Sequence, residues 1–546
     1  MSAAPSDGFR FAPAEQTDEL RRLYLARGYT PAVTLQTLML RNRTEFAQLP
    51  AVIDGEQRLS WRQLIDLAGG FGGYLKSRGV GPGDVVMWQL PNWWEAIVVA
   101  YGVWAAGAIS APIIPSYREH EVGEIYRATR PKVVVMPHRF RDVDHPALAS
   151  AVAESHGSAP SVRVVVRGAE TGWDAFEDAV RAPFYVHEVS DIYTPLVIGS
   201  TSGTTAEAKV VVHSTASFIS NPSMMARLSG YGWRDRAYMP APLAHATGLL
   251  TAVGLPAFTG CSVVLRDRWD PELAIDDITE HEVTFSSGAA VFIQEILDAL
   301  ARRGRSELRL RSGYPCGGSN IPTALAIRAE AVGMGPSRSY GMTECTGVTY
   351  SGPFEPAGIR CSTDGRITPG CDVRVIDERG RDLAVGEVGE FVVQGPHRAL
   401  GYVNPEHTRQ GFDGGWFRTG DSGYITEERT LYVTGRLKEI INRGGEKISC
   451  REIEDLLVTH PMIAEVAVVA APHERFGEQP AAFVLAIDGA RPSAENLREH
   501  LIHAGLAAHK IPRLWHFVDS LPRTPLGKVK KYELQRSIAS AAEPPR

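Results

Sequence analysis

Ten consecutive residues, Ser200 to Lys209, read Ser-Thr-Ser-Gly-Thr-Thr-Ala-Glu-Ala-Lys and follow directly on the apolar run Tyr193–Ile198. Five hydroxyl side chains, a glycine and a lysine are the composition that wraps a polyphosphate. Hydroxyls and backbone N–H groups donate to phosphate oxygens, glycine admits close backbone approach, and lysine adds positive charge. No Gly-Lys pair is present, so this is not a Walker loop. In isolation such a loop is most often a solvated turn. Other chemistry-bearing groups follow in order. Tyr340-Gly341-Met342-Thr343-Glu344 puts a hydroxyl beside a carboxylate, enough for one phosphate and one Mg²⁺. In Gly415-Trp416-Phe417-Arg418-Thr419-Gly420-Asp421 a carboxylate sits at a glycine-bounded turn, where it can accept both hydroxyls of a ribose or simply close a hairpin. Gly435-Arg436-Leu437-Lys438-Glu439 precedes Arg443-Gly444-Gly445-Glu446, whose paired glycines pass a thin ligand or make a tight turn. Lys528 lies on a Gly-Pro loop near the C-terminus.

The elements that must position these groups are legible from periodicity. Ser60 caps a helix running through Trp61, Leu64, Leu67 and Leu75, which ends at Gly79. Val85–Leu90 and Lys132–Met136 read as buried strands, and Pro91-Asn92-Trp93-Trp94 opens the next helix. The apolar stretch Ala96–Pro112 is too short and too rich in small residues for a membrane span and reads as a buried helix. Alternating strands and helices to about residue 330 imply an α/β fold with largely parallel sheets. Residues 361–437 contain short strands at Asp372–Ile376, Gly389–Val393 and Thr430–Val433, a β-rich subdomain. From Lys438 the pattern is a compact α+β segment. It comprises a strand, a helix from Cys450 to Val458, strands near Val466–Val469 and Ala481–Leu485, a helix near Ala494–His503, and Trp515–Val518. The expected organisation is a large N-terminal domain, 1–437, of two α/β subdomains plus a β-rich subdomain, and a small mobile C-terminal domain, 438–546.

The 546 residues suffice for roughly three to four core-forming units. A hydrophobic content of 44% with 22% charged residues is that of an ordinary globular protein. A net charge of -6 without a basic stripe argues against a nucleic-acid partner. The six cysteines contain no Cys-x-x-Cys pair and read as reduced thiols; with no signal pattern at the N-terminus, the expected location is cytoplasmic.

Together, in this order, the motifs resemble the adenylate-forming superfamily of acyl- and aryl-CoA ligases, carrier-protein adenylation domains and beetle luciferases, over about Leu59 to Lys531. The resemblance implies two half-reactions at one site. A carboxylic acid attacks the α-phosphorus of ATP·Mg²⁺ to give acyl-AMP and pyrophosphate, and a thiolate, that of CoA, then takes the acyl group. It implies that Thr201, Ser202, Gly203, Thr204, Thr205 and Lys209 grip phosphates with Thr343, and that Glu344 holds Mg²⁺. Gly317, Gly318 and Ser319 resemble the adenine-contacting turn, with Tyr340 stacking on the base and Gly341 and Met342 beside it. Asp421 and Arg436 would take the ribose, and Lys528 would bridge the carboxylate and the α-phosphate. Lys438 matches a hinge about which the C-terminal domain rotates between half-reactions, bringing Arg443, Gly444 and Gly445 to a pantetheine channel.

The sequence departs from the family's Gly-x-Pro-Lys-Gly at Ala206-Glu207-Ala208-Lys209-Val210, a stiffer loop. Pro242-Leu243-Ala244-His245-Ala246-Thr247-Gly248 resembles the segment that carries an aromatic gate, here His245, beside the acyl carboxylate. Relatives that activate 2-hydroxybenzoates have asparagine at the Ala246 position, where it reads the ortho hydroxyl. Alanine cannot, which disfavours salicylate or dihydroxybenzoate. Gly248, Ser287 and Gly288, with residues 284–292 and 314–319, are expected to wall the acyl pocket. The resemblance is nearest to ligases for cyclohexanecarboxylate and other short or medium acids. The leading expectation is an acyl-CoA ligase using a small-molecule acid, ATP, Mg²⁺ and CoA, as a monomer or homodimer without an integral membrane segment. The alternatives are a stand-alone adenylation enzyme that loads a carrier protein, and a nucleotide-binding homologue without chemistry.

Overall fold

Short runs of β-branched residues form the central strands, as at Val85–Trp88, Val133–Pro137 and Val162–Val166. These are covered on both faces, which is why they read as continuous apolar runs. The computed structural model describes residue 9 and residues 11–201, 209–318, 321–524 and 528–542. Among the described residues one sheet has eight strands in the order Gly401–Tyr402, Lys209–Ser214, Pro195–Thr201, Ile109–Pro112, Val85–Trp88, Val133–Pro137, Val162–Val166 and Asp174–Ala175. Its interior pairs are parallel; Lys209–Ser214 and Gly401–Tyr402 join antiparallel at one edge. A second sheet of five strands runs Phe285–Ser286, Arg236–Met239, Ser262–Leu265, Pro50–Asp54 and Gln57–Ser60.

Helix Trp61–Ser77 opens on a capping box in which Ser60 and Gln63 satisfy each other's backbone N–H groups. Trp61, Trp88 and Trp104 are fully buried in one core that draws Val52 and Val263 from one sheet and Val86 and Val133 from the other. The stretch Ala96–Pro112 is not one helix. It divides into the end of helix Trp94–Ala105, a turn at Gly107, and strand Ile109–Pro112. A run apolar at every position carries no period to separate the two.

The β-rich region is a sheet of Asp372–Ile376, Gly389–Gln394, Trp416–Ile425, Phe412–Asp413 and Leu431–Arg436. The chain then makes a 3-10 turn at Leu437–Glu439, where the domain boundary is expected. Beyond it, Ile441–Arg443, Glu446–Ile448, Ile463–His473, Gly477–Ala486 and Leu514–Phe517 form a separate sheet. Helices Cys450–Leu457 and Ala494–His503 cover it around a core of its own, including Ile441, Ile453, Val484 and Leu497.

One buried carboxylate ties this C-terminal unit to the rest. Asp364 Oδ1 accepts from Arg338 at 2.9 Å and from Arg451, on helix Cys450–Leu457, at 3.0 Å. Its Oδ2 accepts from the Val433 N–H at 2.8 Å, and Arg451 also donates to Val433 O at 2.7 Å. Burial pushes the Asp364 carboxyl up, but the two guanidiniums outweigh it and hold the group below the ordinary aspartate range. A depressed folded-state pKa contributes stability that is full above the ordinary value and lost as pH falls through the folded one. The joint is therefore intact at neutral pH. Replacing Arg451 by leucine leaves Asp364 with Arg338 and the Val433 N–H and is expected to cost about 1–3 kcal/mol. Denaturant unfolding at pH 7 checks this, and an unchanged midpoint would refute the joint.

Candidate active site

The antiparallel pair Trp416–Ile425 and Leu431–Arg436 places Asp421 directly opposite Arg436. Arg436 Nε lies 3.5 Å from Asp421 Oδ1, and Tyr340 Oη donates to Oδ2 at 2.7 Å. The Tyr340 ring lies 5.9 Å from that of Phe391. Burial raises the Asp421 carboxyl, opposed by Arg436, Tyr340 and Lys528. Lys528 is exposed as a residue while its ammonium stands among Arg436, Glu439 and Asp421, and Thr524 and Lys528 hydrogen-bond to each other across residues 525–527. Its pKa is lowered to about 8 by burial of the ammonium and then by the neighbouring Arg436 charge, against the pull of Glu439 and Asp421. Lys528, Arg436 and Asp421, far apart in sequence, thus share one electrostatic neighbourhood.

Parallel strands Tyr314–Cys316 and Pro336–Arg338 bring two turns together, so that Gly317 and Gly318 adjoin Ser339 and Tyr340. Ser339 N donates to Cys316 O at 2.8 Å. The turn continues through Gly341, and Met342 and Cys345 exchange backbone bonds at 3.2 Å, which presents Thr343 and Glu344. Thr343 packs its methyl over Gly199, on the strand that leads into the hydroxyl-rich loop. Ser202, Gly203, Thr204, Thr205 and Ser319 lie outside the described residues; Thr201 ends the strand and Lys209 begins its return.

Glu344 is only 8% exposed. Its Oε1 accepts from Tyr402 Oη at 2.5 Å, and the Lys209 ammonium stands 5.4 Å from the centre of the same tyrosine ring. Burial raises the Glu344 carboxyl, opposed by the Tyr402 bond and by Lys209. A single carboxylate with one oxygen already held suits Mg²⁺, which takes one or two carboxylates and completes its shell with substrate phosphates and water. Among the described residues no group of three or more His, Cys, Asp or Glu could hold a metal without such help.

A cavity of about 40 Å³ opens beside Thr343, with Gly199, His213, Ala244, His245, Ala246, Leu249 and Leu250 in its wall. His245 caps the short helix Ala246–Gly248, its Nδ1 accepting from Thr247 N at 3.3 Å, which leaves the proton on Nε2. Burial lowers its pKa to about 4, so the ring is neutral at pH 7. The next turn, Leu249–Gly254, is a π-helix, a widened turn that recurs at functional sites. Ala246 lies in the wall of this cavity; Gly248, Ser287 and Gly288 do not. A Cβ at Gly248 would stand 2.2 Å from Pro242 O, so that glycine allows the turn to close. Ser287 Oγ donates to Pro315 O at 3.0 Å, and Gly288 packs against Phe292 and Tyr314. Arg443, Gly444 and Gly445 also stand outside the cavity, on a hairpin whose two glycines adopt φ of 62° and 96°. Arg443 covers the Phe476 ring at 4.3 Å, and Gly444 N donates to Phe476 O at 2.8 Å.

Two residues of the neighbourhood belong to none of the motifs singled out in the sequence. His213 Nε2 donates to Thr343 O at 2.7 Å and its Nδ1 meets Ser217 Oγ at 3.0 Å; burial lowers its pKa to about 4. The other is Tyr402. The available signal was polar residues closing otherwise apolar strands, Lys209-Val-Val-Val-His213 and Gly401-Tyr402.

The chain matches the family model described as AMP-binding enzyme over residues 40–403 and that of the AMP-binding enzyme C-terminal domain over residues 452–528. A salicylyl-CoA synthase / salicylate adenylyltransferase of a Streptomyces species is 31% identical, across 98% of this chain and 99% of its own length. A medium-chain fatty-acid–CoA ligase of Escherichia coli (strain K12) is 29% identical, across 89% and 87%. The ATP-bound structure of MatB from Rhodopseudomonas palustris aligns with a TM-score of 0.83 at 25% identity, covering 93% of this chain and 99% of that one. Among the described residues no helix is long and apolar enough to cross a membrane.

The close approach at Gly248 is directly testable. Gly248→Ala is expected to destabilise the protein by about 1–3 kcal/mol, the usual range for overpacking, in urea unfolding. A variant as stable as the parent would show that the His245 turn does not need this contact.

Proposed function

Because the chain belongs to the AMP-binding enzyme family, we propose that it is an AMP-forming acid–CoA ligase acting through an acyl-adenylate. The observation that carries this reading is the convergence of Lys528 on Asp421 and Arg436. Three groups from different elements face one place, two cationic and one suited to a ribose. In the first half-reaction a substrate carboxylate oxygen bonds to the α-phosphorus of ATP as the bond to the β-phosphate oxygen breaks, releasing pyrophosphate. The protein's task there is positioning and charge stabilisation. The Lys528 ammonium lies between the carboxylate and the α-phosphate, and Lys209, Thr343 and the Thr201–Thr205 loop hold the phosphates. Asp421 accepts the ribose hydroxyls with Arg436 beside it. The turns at Gly317–Ser319 and Tyr340–Met342 hold the base. Glu344 holds Mg²⁺, which when bound neutralises charge on the phosphate oxygens.

In the second half-reaction the CoA thiolate bonds to the acyl carbon, and the bond from that carbon to the AMP oxygen breaks. Lys528 has no part there. We place the domain boundary at 437/438 and the hinge at Lys438, so that rotation removes Lys528 and presents Arg443, Gly444 and Gly445. The 3-10 turn at Leu437–Glu439, followed by residues with a core of their own, supports this.

The acid we propose is short or medium and apolar, branched or cyclic. Ala244, Ala246, Leu249 and Leu250 offer it carbon, and among the described residues that line this cavity none is Asp, Glu, Lys or Arg. Neutral His245 closes the carboxylate end without adding charge. The relative that carries salicylate in its name shares a third of this sequence, but Ala246 has no group to bond an ortho hydroxyl.

A panel of carboxylic acids assayed for pyrophosphate release, with and without CoA, tests the reading. AMP and acyl-CoA from a compact apolar acid are expected; turnover only with a carrier-protein thiol would favour the loading enzyme, and no release with any acid would refute ligase activity. Lys528→Ala is expected to slow acyl-AMP formation by roughly 10²-fold or more while sparing thioester formation from supplied acyl-AMP. Equal loss in both steps would overturn the role given to Lys528. With a pKa of about 8, Lys528 is charged below that pH and neutral above it. The kcat/KM of the first half-reaction for ATP, which reports the free protein, should therefore decline as pH rises through about 8, and Lys528→Arg, charged at all these pH values, should flatten that decline.

A further inference from the structure

Tyr402 is 2% exposed and has no part in the proposed reaction, yet it touches both Glu344 and Lys209. Its hydroxyl donates to Glu344 Oε1 at 2.5 Å, the length of a charge-assisted bond to a carboxylate. Its ring lies beneath the Lys209 ammonium, 5.4 Å from the nitrogen, within the range of a cation–π contact.

The tyrosine cannot easily move. Strand Gly401–Tyr402 pairs antiparallel with Lys209–Ser214, Tyr402 opposite Val211. The flanking bonds Leu400 N to Val212 O and Val403 N to Val210 O are both 2.8 Å. Thr408 Oγ1 accepts from Tyr402 N at 2.9 Å, and the rings of His407 and Phe412 stand edge-on to Tyr402, each at 5.9 Å. Glu344 is tied to the same segment a second time, through Ala399 N donating to Glu344 O at 2.8 Å. The strand that begins with Lys209 and the turn that carries Glu344 therefore meet on one short stretch, residues 399–403.

We infer that Tyr402 is a positioning residue: its hydroxyl fixes which carboxylate oxygen of Glu344 stays available to a divalent cation, and its ring face sets the height of the Lys209 ammonium above that carboxylate. This rests on the proposed reading of Glu344 and Lys209 as the metal-side and phosphate-side groups. The two functions of the side chain are separable. Tyr402→Phe removes the hydroxyl and keeps the ring; Tyr402→Leu removes both.

The test measures binding as well as turnover. Mn²⁺ is titrated into the ATP-bound protein by electron paramagnetic resonance, and ATP without divalent cation is titrated by calorimetry. Tyr402→Phe is expected to weaken Mn²⁺ binding by roughly 10-fold or more, as loss of a partner behind a metal ligand does, with metal-free ATP affinity within about 2-fold of the parent. The Mg²⁺ concentration needed for half-maximal pyrophosphate release should rise by the same factor, with kcat recovered at saturating Mg²⁺. Tyr402→Leu should in addition weaken metal-free ATP binding through Lys209. In a Glu344→Gln background, where the charge that the hydroxyl serves is gone, Tyr402→Phe should add no further loss of Mn²⁺ affinity. A Tyr402→Phe protein that binds Mn²⁺ like the parent, or an undiminished effect in the Glu344→Gln background, overturns the assignment and leaves Tyr402 a core residue only. If the parent releases no pyrophosphate with any acid, the ligase reading falls while the Mn²⁺ titrations still decide the role of Tyr402.

Discussion

Asp364 is the point on which the geometry of the site depends. A carboxylate 12% exposed would be costly alone, and its two guanidinium partners and one backbone N–H make it tenable. Those partners come from three places: Arg338 from the strand beside the Gly317 turn, Val433 from the strand that carries Arg436, and Arg451 from the C-terminal unit. Its hydrogen bonds therefore register the strand before the Ser339–Tyr340 turn, the strand that carries Arg436 and the unit bearing Lys528 against one another. No motif residue is itself part of the joint, so the joint holds the site without competing for ligand.

The same arrangement bears on movement of the C-terminal unit. If that unit turns about Lys438, Arg451 must leave, but Arg338 and the Val433 N–H remain with Asp364. Rotation then strands no bare charge on the N-terminal side, and the departing guanidinium goes to solvent. An ion pair with a spare partner on the fixed side is a contact that can open at modest cost, whereas a lone buried pair would lock one state. Ser449 Oγ to Thr434 O and Lys447 to Glu378 are the companion contacts, and both are partly or fully exposed.

Much of this was legible beforehand, for reasons that differ by element. Helix Ala494–His503 and strand Asp372–Ile376 emerge where the sequence places them because each has clear turn residues at its ends and a clean apolar period. The motifs proposed for phosphate, ribose and metal are legible because such contacts need specific residue types at close spacing. The cavity beside Thr343 is different. Its wall is made where helix, strand and turn meet, and Gly248, Ser287 and Gly288 pack tightly outside it. His213 and Tyr402 escaped for the converse reason: each is a polar residue at the end of an apolar strand, a pattern shared with any strand terminus.

Those two residues reveal how the phosphate end is built. Thr343 and Glu344 lie on a turn whose carbonyls are both claimed, Thr343 O by His213 and Glu344 O by Ala399 N. His213 lies on strand Lys209–Ser214 and Ala399 just before strand Gly401–Tyr402, so the turn is tied to the edge of the eight-stranded sheet. A turn held this way keeps its hydroxyl and carboxylate pointed at one place before any ligand arrives. The electrostatics complement this: Glu344 and Asp421 are raised by burial, and Lys528 is depressed beside Arg436. Under the proposed reading, a polyanion between them would relieve the crowding of cations and a divalent cation that of the buried carboxylate, while the sheet edge keeps the Thr343–Glu344 turn in place.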